Sequence, residues 1–535
     1  MADGWQTYPV EFRGGLITNL SPLQQGINLP GSARQLRNFE PSVEGGYRRI
    51  NGFQKYSTTE VTGGTDELIR GIFYFEAEVY AARNNAGVGE GELYKSSGGA
   101  WTRVSTDTDR FGTGNKKVRF AKYNFGNSPR FIAVDGTNHP FRYNSTTSTF
   151  EEMDFLPSDF EGCAHVIVYK DTLIFANENV LLFGGFRGDD EQGMSVALGG
   201  GSKVFSSRIT GMATFRDVLY VFTETSIHAV AESTEEVTRF RFESVSSDLG
   251  CIEDDTIQEI GGDVMFLGPD GLRLLSATDR IGDIGLGSVS RSIQSEATEF
   301  VDRNANFCSI VLRKKSQYRI FGYRAAETIS NSPGLIATQF SAQGGEDIGF
   351  AETRGIKAYT AYSEYQDAVE YVFFGNETGY VYRLEQGNSF DGEEIPATFF
   401  TPYLPIEDPT LRKTFYIIHN FIDPDGSFNA SVSLNYDFGD ADVIQPDAIS
   451  LSNTVDLVSG GLPVGIYGEA EYGSGTVDDE DLVGTHVYGD AVRVSLRKQV
   501  TGSGFVVSFE YTSLGNTQPF TVDSVAIEFA TESRR

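Results

Sequence analysis

Short apolar runs separated by small clusters of Gly, Asn and Asp recur through the middle of the chain, and no long stretch carries the three-to-four spacing of an amphipathic helix. The best helical candidate is Ser32 to Phe39 (SARQLRNF), about two turns. Three strand pairs align without adjustment: YKDTLIFANENVLLF from Tyr169, FRDVLYVFTETSIHAV from Phe215 and GGDVMFLGPDGLRLL from Gly261. Asp171, Asp217 and Asp263 keep a spacing of 46 residues. Looser copies begin at Glu78, Arg130 and Glu370, and QYRIFGYR from Gln317 falls in the gap before the last, which makes seven units. Turns such as NNAG, DGTN, PDG and GNETG supply the residues that tolerate positive φ in hairpins. One hairpin cannot bury its apolar face alone, so units of about 45 residues must pack on one another, and radial closure removes their open edges. The period predicts a β-propeller of six or seven blades, with seven the better fit.

Two regions lie outside the repeat. Residues 1–65 read as an N-terminal arm, part of which, GYRRINGFQKYS, is a candidate for the strand that closes the ring. Residues 66–389 carry the propeller. From 390 to 535 the segments FYIIHNFIDPDGSFNASVSLNYDF, AVRVSLRKQV, GFVVSFEYTS and FTVDSVAIEFA alternate apolar and polar positions, the pattern of an antiparallel β-sandwich. The Gly-rich acidic stretch 450–490 is predicted to be a long loop. The expected class is all-β.

Charge changes the picture most. With 74 acidic against 43 basic residues the formal net charge is −31, which disfavours general adhesion to DNA or to an anionic membrane. Two readings stay open: acidity that only keeps the protein soluble, and a surface along which nucleic acid slides without sticking. Cys163, Cys251 and Cys308 are odd in number and scattered, so no disulfide framework is expected. The opening MADGWQTYPVEFRGG lacks the apolar core of a signal peptide, and no stretch approaches about 18 apolar residues, so folding in a cytoplasm without membrane insertion is expected.

Residues that could carry chemistry are few. None of His139, His165, His228, His419 and His486 sits in a metal or catalytic signature. LGGGSKVF at 198–205 lacks the spacing of a phosphate loop and reads as a blade connection. SSGGAWTRV from Ser96 has no Asp where a sialidase-type Asp box needs one, and acidic pairs arise by chance among 74 carboxylates. The segments GDADV at 439–443 and DDED (Asp478, Asp479, Glu480, Asp481) match no calcium-loop template and read as solvated loops. No catalytic, cofactor-binding or metal-binding residue is expected, and the sequence alone points away from an enzyme. Arg34, Arg37, Arg48 and Arg49 cluster in the arm and suggest a protein–protein contact.

The segment FRGGLITNLSPLQQGINLPGSARQLRNFEPSVEGGYRRINGFQKYS (Phe12 to Ser57), the segment DGEEIPATFFTPYLPIEDPTLRKTFYIIHNF (391–421) and the ending SVAIEFATESRR resemble the tail nozzle proteins of short-tailed phages, also called tail tubular protein B or packaged-DNA stabilisation protein. The resemblance implies a structural subunit of the virion tail, assembled in the bacterial host cytoplasm. It would form a homo-oligomeric ring, a hexamer, below the portal and adaptor proteins, with tail fibres as possible neighbours. Genomic DNA would pass through its channel without sequence-specific binding. On this reading Asp478, Asp479, Glu480 and Asp481 face the lumen, and Arg34, Arg37, Arg48 and Arg49 face a neighbour or the adaptor. Two rivals remain. A receptor- or glycan-binding propeller of the tail, able to cleave glycan in one version, predicts a pocket with an aromatic floor and paired carboxylates. A WD- or kelch-type scaffold is disfavoured by the missing Gly-His and Trp-Asp signatures.

Overall fold

The computed structural model describes residues 5–64, 67–126, 128–190, 193–195, 199–232, 239–276, 288–342, 345–366, 368–452 and 494–531. The chain divides into two compact units, Gly52–Gly392 and the pair of segments Met1–Asn51 with Glu393–Arg535. The boundaries thus fall at 52 and 392, against the 65 and 389 read from the sequence.

Gly52–Gly392 is the β-propeller. Among the described residues it holds seven antiparallel blades, six of four strands and one of three. Their innermost strands are Ile69–Phe75, Arg119–Tyr123, His165–Tyr169, Ile209–Phe215, Gln258–Ile260, Asn306–Leu312 and Thr360–Gln366, for blades 1 to 7. Each touches the next, and that of blade 7 touches that of blade 1, so the ring is closed. The strand Phe53–Lys55, within GYRRINGFQKYS, is the fourth strand of blade 7, pairing Phe53 with Leu384 and Lys55 with Tyr382. Chain from before blade 1 is thereby locked to the last blade.

Local sequence explains the hairpins. Blades 1, 3, 4 and 5 join their first two strands through two residues that both have positive φ: Glu76–Ala77, Lys170–Asp171, Arg216–Asp217 and Gly261–Gly262. Such turns match the right-handed twist of the flanking strands. Asp171 and Asp217 occupy these turns. Asp263 does not: in blade 5 Ile260 pairs with Asp263, which opens the second strand, and its carboxylate accepts from Ser276 N. The 46-residue spacing therefore survives a one-residue shift of the turn. Between successive blades the cores are aromatic and aliphatic; Phe73, Phe75, Tyr80, Phe131 and Tyr143, for example, fill the space between blades 1 and 2.

One local reading needs correction. SARQLRNF is not helical: Gln35–Arg37 is a strand paired with Thr398–Phe400, and Phe39–Pro41 is another. Leu36 is buried on that ladder, which one apolar side chain can satisfy without helical periodicity. Helices occur instead at Pro22–Asn28, where the Ser21 side chain accepts from Gln24 N at 3.4 Å and Pro22 stands in the first turn, and at Gln294–Arg303, which buries Ala297 and Phe300.

The second unit is a two-sheet antiparallel assembly to which residues 5–51 contribute strands. One sheet has the order Phe39–Pro41, Tyr47–Arg49, Phe520–Thr531, Lys413–Pro424, Val494–Gln499, and Gln6–Glu11 also pairs with Phe520–Thr531. The other runs Gln35–Arg37, Thr398–Phe400, Val507–Ser513, Ala430–Tyr436, Ile449–Ser450. Aromatic rings fill the interior: Phe399 lies 4.6 Å from Tyr511, 5.0 Å from Phe39, 5.2 Å from Tyr47 and 5.4 Å from Phe12, centroid to centroid. The Tyr47 hydroxyl donates to Gly31 O at 2.8 Å. A Cβ on Gly31 would sit 1.9 Å from Glu11 O, so the glycine of NLPGSARQLRNF is a close-approach residue.

Candidate functional site at one mouth of the propeller channel

The seven inner strands line a central channel that contains a cavity of about 300 Å³. Charged side chains gather where these strands begin. Arg119 opens the inner strand of blade 2, with Lys117 two residues before it; His165 opens that of blade 3; Arg208 precedes that of blade 4; Asp254 and Asp255 precede that of blade 5. Strand starts converge because every blade enters the ring in the same sense, so residues far apart in sequence share one mouth.

Arg119 donates from Nε to Asp255 Oδ1 at 2.6 Å and from Nη2 to Asp255 Oδ2 at 3.0 Å, and its Nη1 donates to Ala164 O at 2.8 Å. Lys117 Nζ donates to Asp255 Oδ2 at 2.9 Å and to Phe307 O at 2.5 Å. Arg208 Nη1 donates to Asp254 Oδ1 at 2.9 Å. Blades 2 and 5 are not neighbours in the ring, so the Arg119–Asp255 and Lys117–Asp255 pairs span the channel and clasp its opposite walls. Deeper in the cavity stand Phe73, Phe120 and Tyr362 from blades 1, 2 and 7; Phe73 stacks on Phe120 at 5.2 Å and meets Tyr362 edge-on at 5.4 Å.

The electrostatics follow from this packing. Burial alone would raise the Asp255 carboxyl, but Arg119 and Lys117 overcome it and hold the group far below the usual carboxylate range. Asp254 is likewise lowered, burial being offset by His165 and Arg119. Glu253, beside them, is raised by burial and by Asp254. Burial and then Arg119 lower His165, which keeps its imidazole neutral; its Nε2 is buried without a hydrogen-bond partner, 3.6 Å from Asp254 Oδ2. Cys308 also lines the cavity, and burial pushes its thiol up to about 12, so it stays protonated.

The residues singled out from sequence lie elsewhere. Asp478, Asp479, Glu480 and Asp481 are outside the described residues. Arg48 makes a two-pronged contact with Asp425, at 2.9 and 2.5 Å; Arg49 is fully buried, donates to Thr517 O at 2.7 Å, and is lowered to about 10 by desolvation, with Glu394 acting the other way. The Arg34 guanidinium lies 5.2 Å from the Phe400 ring and 5.1 Å from Tyr403, and Arg37 ends the strand paired with Thr398–Phe400. Arg34, Arg48 and Arg49 are engaged inside their own unit, so replacing Arg48 and Arg49 reports first on its folding. His419 bonds Glu528 at 2.8 Å, His228 bonds Ser226 at 2.9 Å, His139 lies 3.8 Å from Glu152, and His486 is outside the described residues. Gly201–Val204 of LGGGSKVF is the outer strand of blade 3. Asp440 in GDADV accepts from Asp442 N. Among the described residues no group of three or more His, Cys, Asp or Glu side chains gathers as a metal site, and no helix is long and apolar enough to cross a membrane.

No family model and no curated protein matches the chain. Among solved structures it is similar to the extracellular domain of a one component system from B. thetaiotaomicron, at 13% identity and a TM-score of 0.38, covering 68% of this chain but 43% of that one. It is also similar to a glycoside hydrolase family 43 arabinoxylan arabinofuranohydrolase from Bacillus subtilis, at 9% identity over 90% of this chain and 99% of that one, with a TM-score of 0.25. A third similar structure is an exo-beta-1,3-galactanase from Phanerochaete chrysosporium, at 8% identity over 90% and 100%, with a TM-score of 0.26. None of the three is a phage tail protein. Likenesses this distant transfer neither activity nor site residues, and the propeller assignment rests on the strand topology itself. The expectation of a non-enzyme drawn from the sequence is withdrawn: two of the three similar structures are glycoside hydrolase enzymes, a likeness that itself assigns no activity to this chain.

Proposed function

We propose that the chain is a subunit of the tail of a short-tailed phage, forming with copies of itself a hexameric nozzle ring below the portal and adaptor through which packaged DNA leaves. One observation carries this reading. The three segments that resemble nozzle proteins are remote in sequence, yet they meet in one sheet: Lys413–Phe421 of the second pairs with Ser524–Thr531 of the third, and Tyr47 and Arg48 of the first pair with Val522 and Thr521 just before it in the same strand. Phe12, Phe39 and Tyr47 of the first segment close on Phe399 of the second. A chance likeness of three short strings has no reason to converge on one folded core. The surplus of 31 acidic charges suits a lumen past which DNA must slide. Native mass spectrometry and negative-stain imaging of the purified protein, alone and with the neighbouring tail proteins, test it. A hexameric ring with a central lumen is expected; a monomer that ignores those partners overturns the reading.

A second reading, a glycan-binding propeller of the tail, is favoured by the channel cavity. Phe73, Phe120 and Tyr362 line the cavity together with the Asp255 carboxylate, and Asp254 stands beside Asp255 at the mouth. That is the combination expected of such a protein. Glycan binding by the purified chain is its test.

A further inference from the structure

We propose that the channel cavity takes a single neutral pyranose unit, a site that rests on the glycan-binding reading and names its ligand. Charge is the first ground. Lys117 and Arg119 face Asp255 and Asp254 in close pairs, and Arg208 is shared between Asp254 and Glu224, so the mouth presents cations and carboxylates already matched to one another. An ionic ligand of either sign would have to displace one of these partners. A neutral ligand would not.

Polar complementarity is the second ground. His165 stays neutral and its buried Nε2 has no hydrogen-bond partner, which is costly for a group removed from water and is relieved by a ligand hydroxyl. Gln258, whose amide nitrogen donates to Ser309 O at 3.1 Å, and Thr360, at the start of the blade 7 inner strand, line the same space. A hydroxyl can both donate and accept, which suits a wall of mixed donors and acceptors.

Shape is the third ground. A sugar ring has an apolar C–H face as well as a rim of hydroxyls, and Phe73, Phe120 and Tyr362 offer an aromatic surface on the far side of the polar mouth. The cavity of about 300 Å³ lies at the small end of ligand pockets, which run from roughly 300 to 1,000 Å³, so one ring fits and a longer chain would have to extend out of the mouth.

Calorimetry and saturation-transfer NMR on the full-length protein, with a panel of neutral methyl pyranosides and matching oligosaccharides, test the site. His165→Gln and Thr360→Val are compared with the unaltered chain, and circular dichroism checks that each variant is folded. The expected result is binding of at least one neutral pyranoside that weakens about tenfold in each variant, a loss of about 1.4 kcal/mol. Oligosaccharide binding unchanged in both folded variants overturns the cavity site and leaves the glycan reading standing. No binding of any sugar, of either length, overturns both. Preference for uronic or sulfated sugars overturns the argument from matched charge.

Discussion

Asp255 stands between two cations that would otherwise be left facing each other in the channel. Replacing it with Asn keeps the shape and removes the counter-charge, and the cost of breaking a fully buried pair is about 3–5 kcal/mol. A quarter of the Asp255 side chain remains accessible, 24%, so a smaller loss of about 2 kcal/mol at neutral pH is expected in urea denaturation. The pH dependence has a definite sign. The folded-state carboxyl titrates below its unfolded value of about 3.9, so its contribution is fully present above that value and fades as pH falls below it. The gap between Asp255→Asn and the unaltered protein should therefore narrow below about pH 4. His165 acts earlier. Its folded value lies below the unfolded value of about 6.5, so stability falls as pH drops through that range, and His165→Gln should flatten this step. None of this was legible from sequence. Asp255 and Lys117 are 138 residues apart, and Asp254–Asp255 is one acidic pair among many until the ring places it opposite Arg119. His165 was visible only as a histidine in an apolar strand, the usual surroundings of a core histidine.

At the level of elements, the short strand Phe53–Lys55 matters out of proportion to its length. Phe53 packs against Phe374 at 5.0 Å, Tyr382 at 5.2 Å and Phe390 at 5.0 Å, and a Cβ on Gly52 would sit 1.9 Å from Ser389 O. Phe53→Ala should cost about 3 kcal/mol. Hydrogen exchange distinguishes ring opening from general destabilisation: protection should fall first in Thr360–Leu384 and Ile69–Phe75, the faces on either side of the closure, while blades 3 and 4 keep theirs. The blades themselves were readable because hairpins with two positive-φ residues demand turn chemistry at a fixed distance from apolar strands, and that demand repeats. The helix Gln294–Arg303 was not readable, since it buries only Ala297 and Phe300 and leaves too little periodicity to see. SARQLRNF misled for the converse reason: Arg, Gln and Leu favour helices, but pairing with Thr398–Phe400 overrides that preference.

On the scale of the whole molecule, the two units make unequal demands on the chain. Gly52–Gly392 is one continuous segment with its own closing strand, whereas the sandwich needs both ends: Gln6–Glu11 and Tyr47–Arg49 pair with Phe520–Thr531, and Phe12 and Phe39 meet Phe399. A fragment of residues 52–392 should therefore fold alone, with a β-type circular dichroism spectrum and a cooperative melt. A fragment of residues 393–535 should not fold unless residues 1–51 are supplied as a separate peptide. The arm and sandwich, which the sequence presents as opposite ends, were not readable as one body, because ladder pairing across hundreds of residues leaves no local mark. The framework glycines were readable as a motif but not as a reason; Gly31 is held by the approach of Glu11 O, which only the fold reveals. There is a consequence for how such a chain can change over evolutionary time. The ring leaves its host at Gly52 and rejoins it at Gly392, and Phe53 and Phe390 form a parallel bridge just inside those two points. The ring segment thus brings its own two ends side by side, the arrangement of a cassette in which blades can be gained or lost between lineages without parting its terminals.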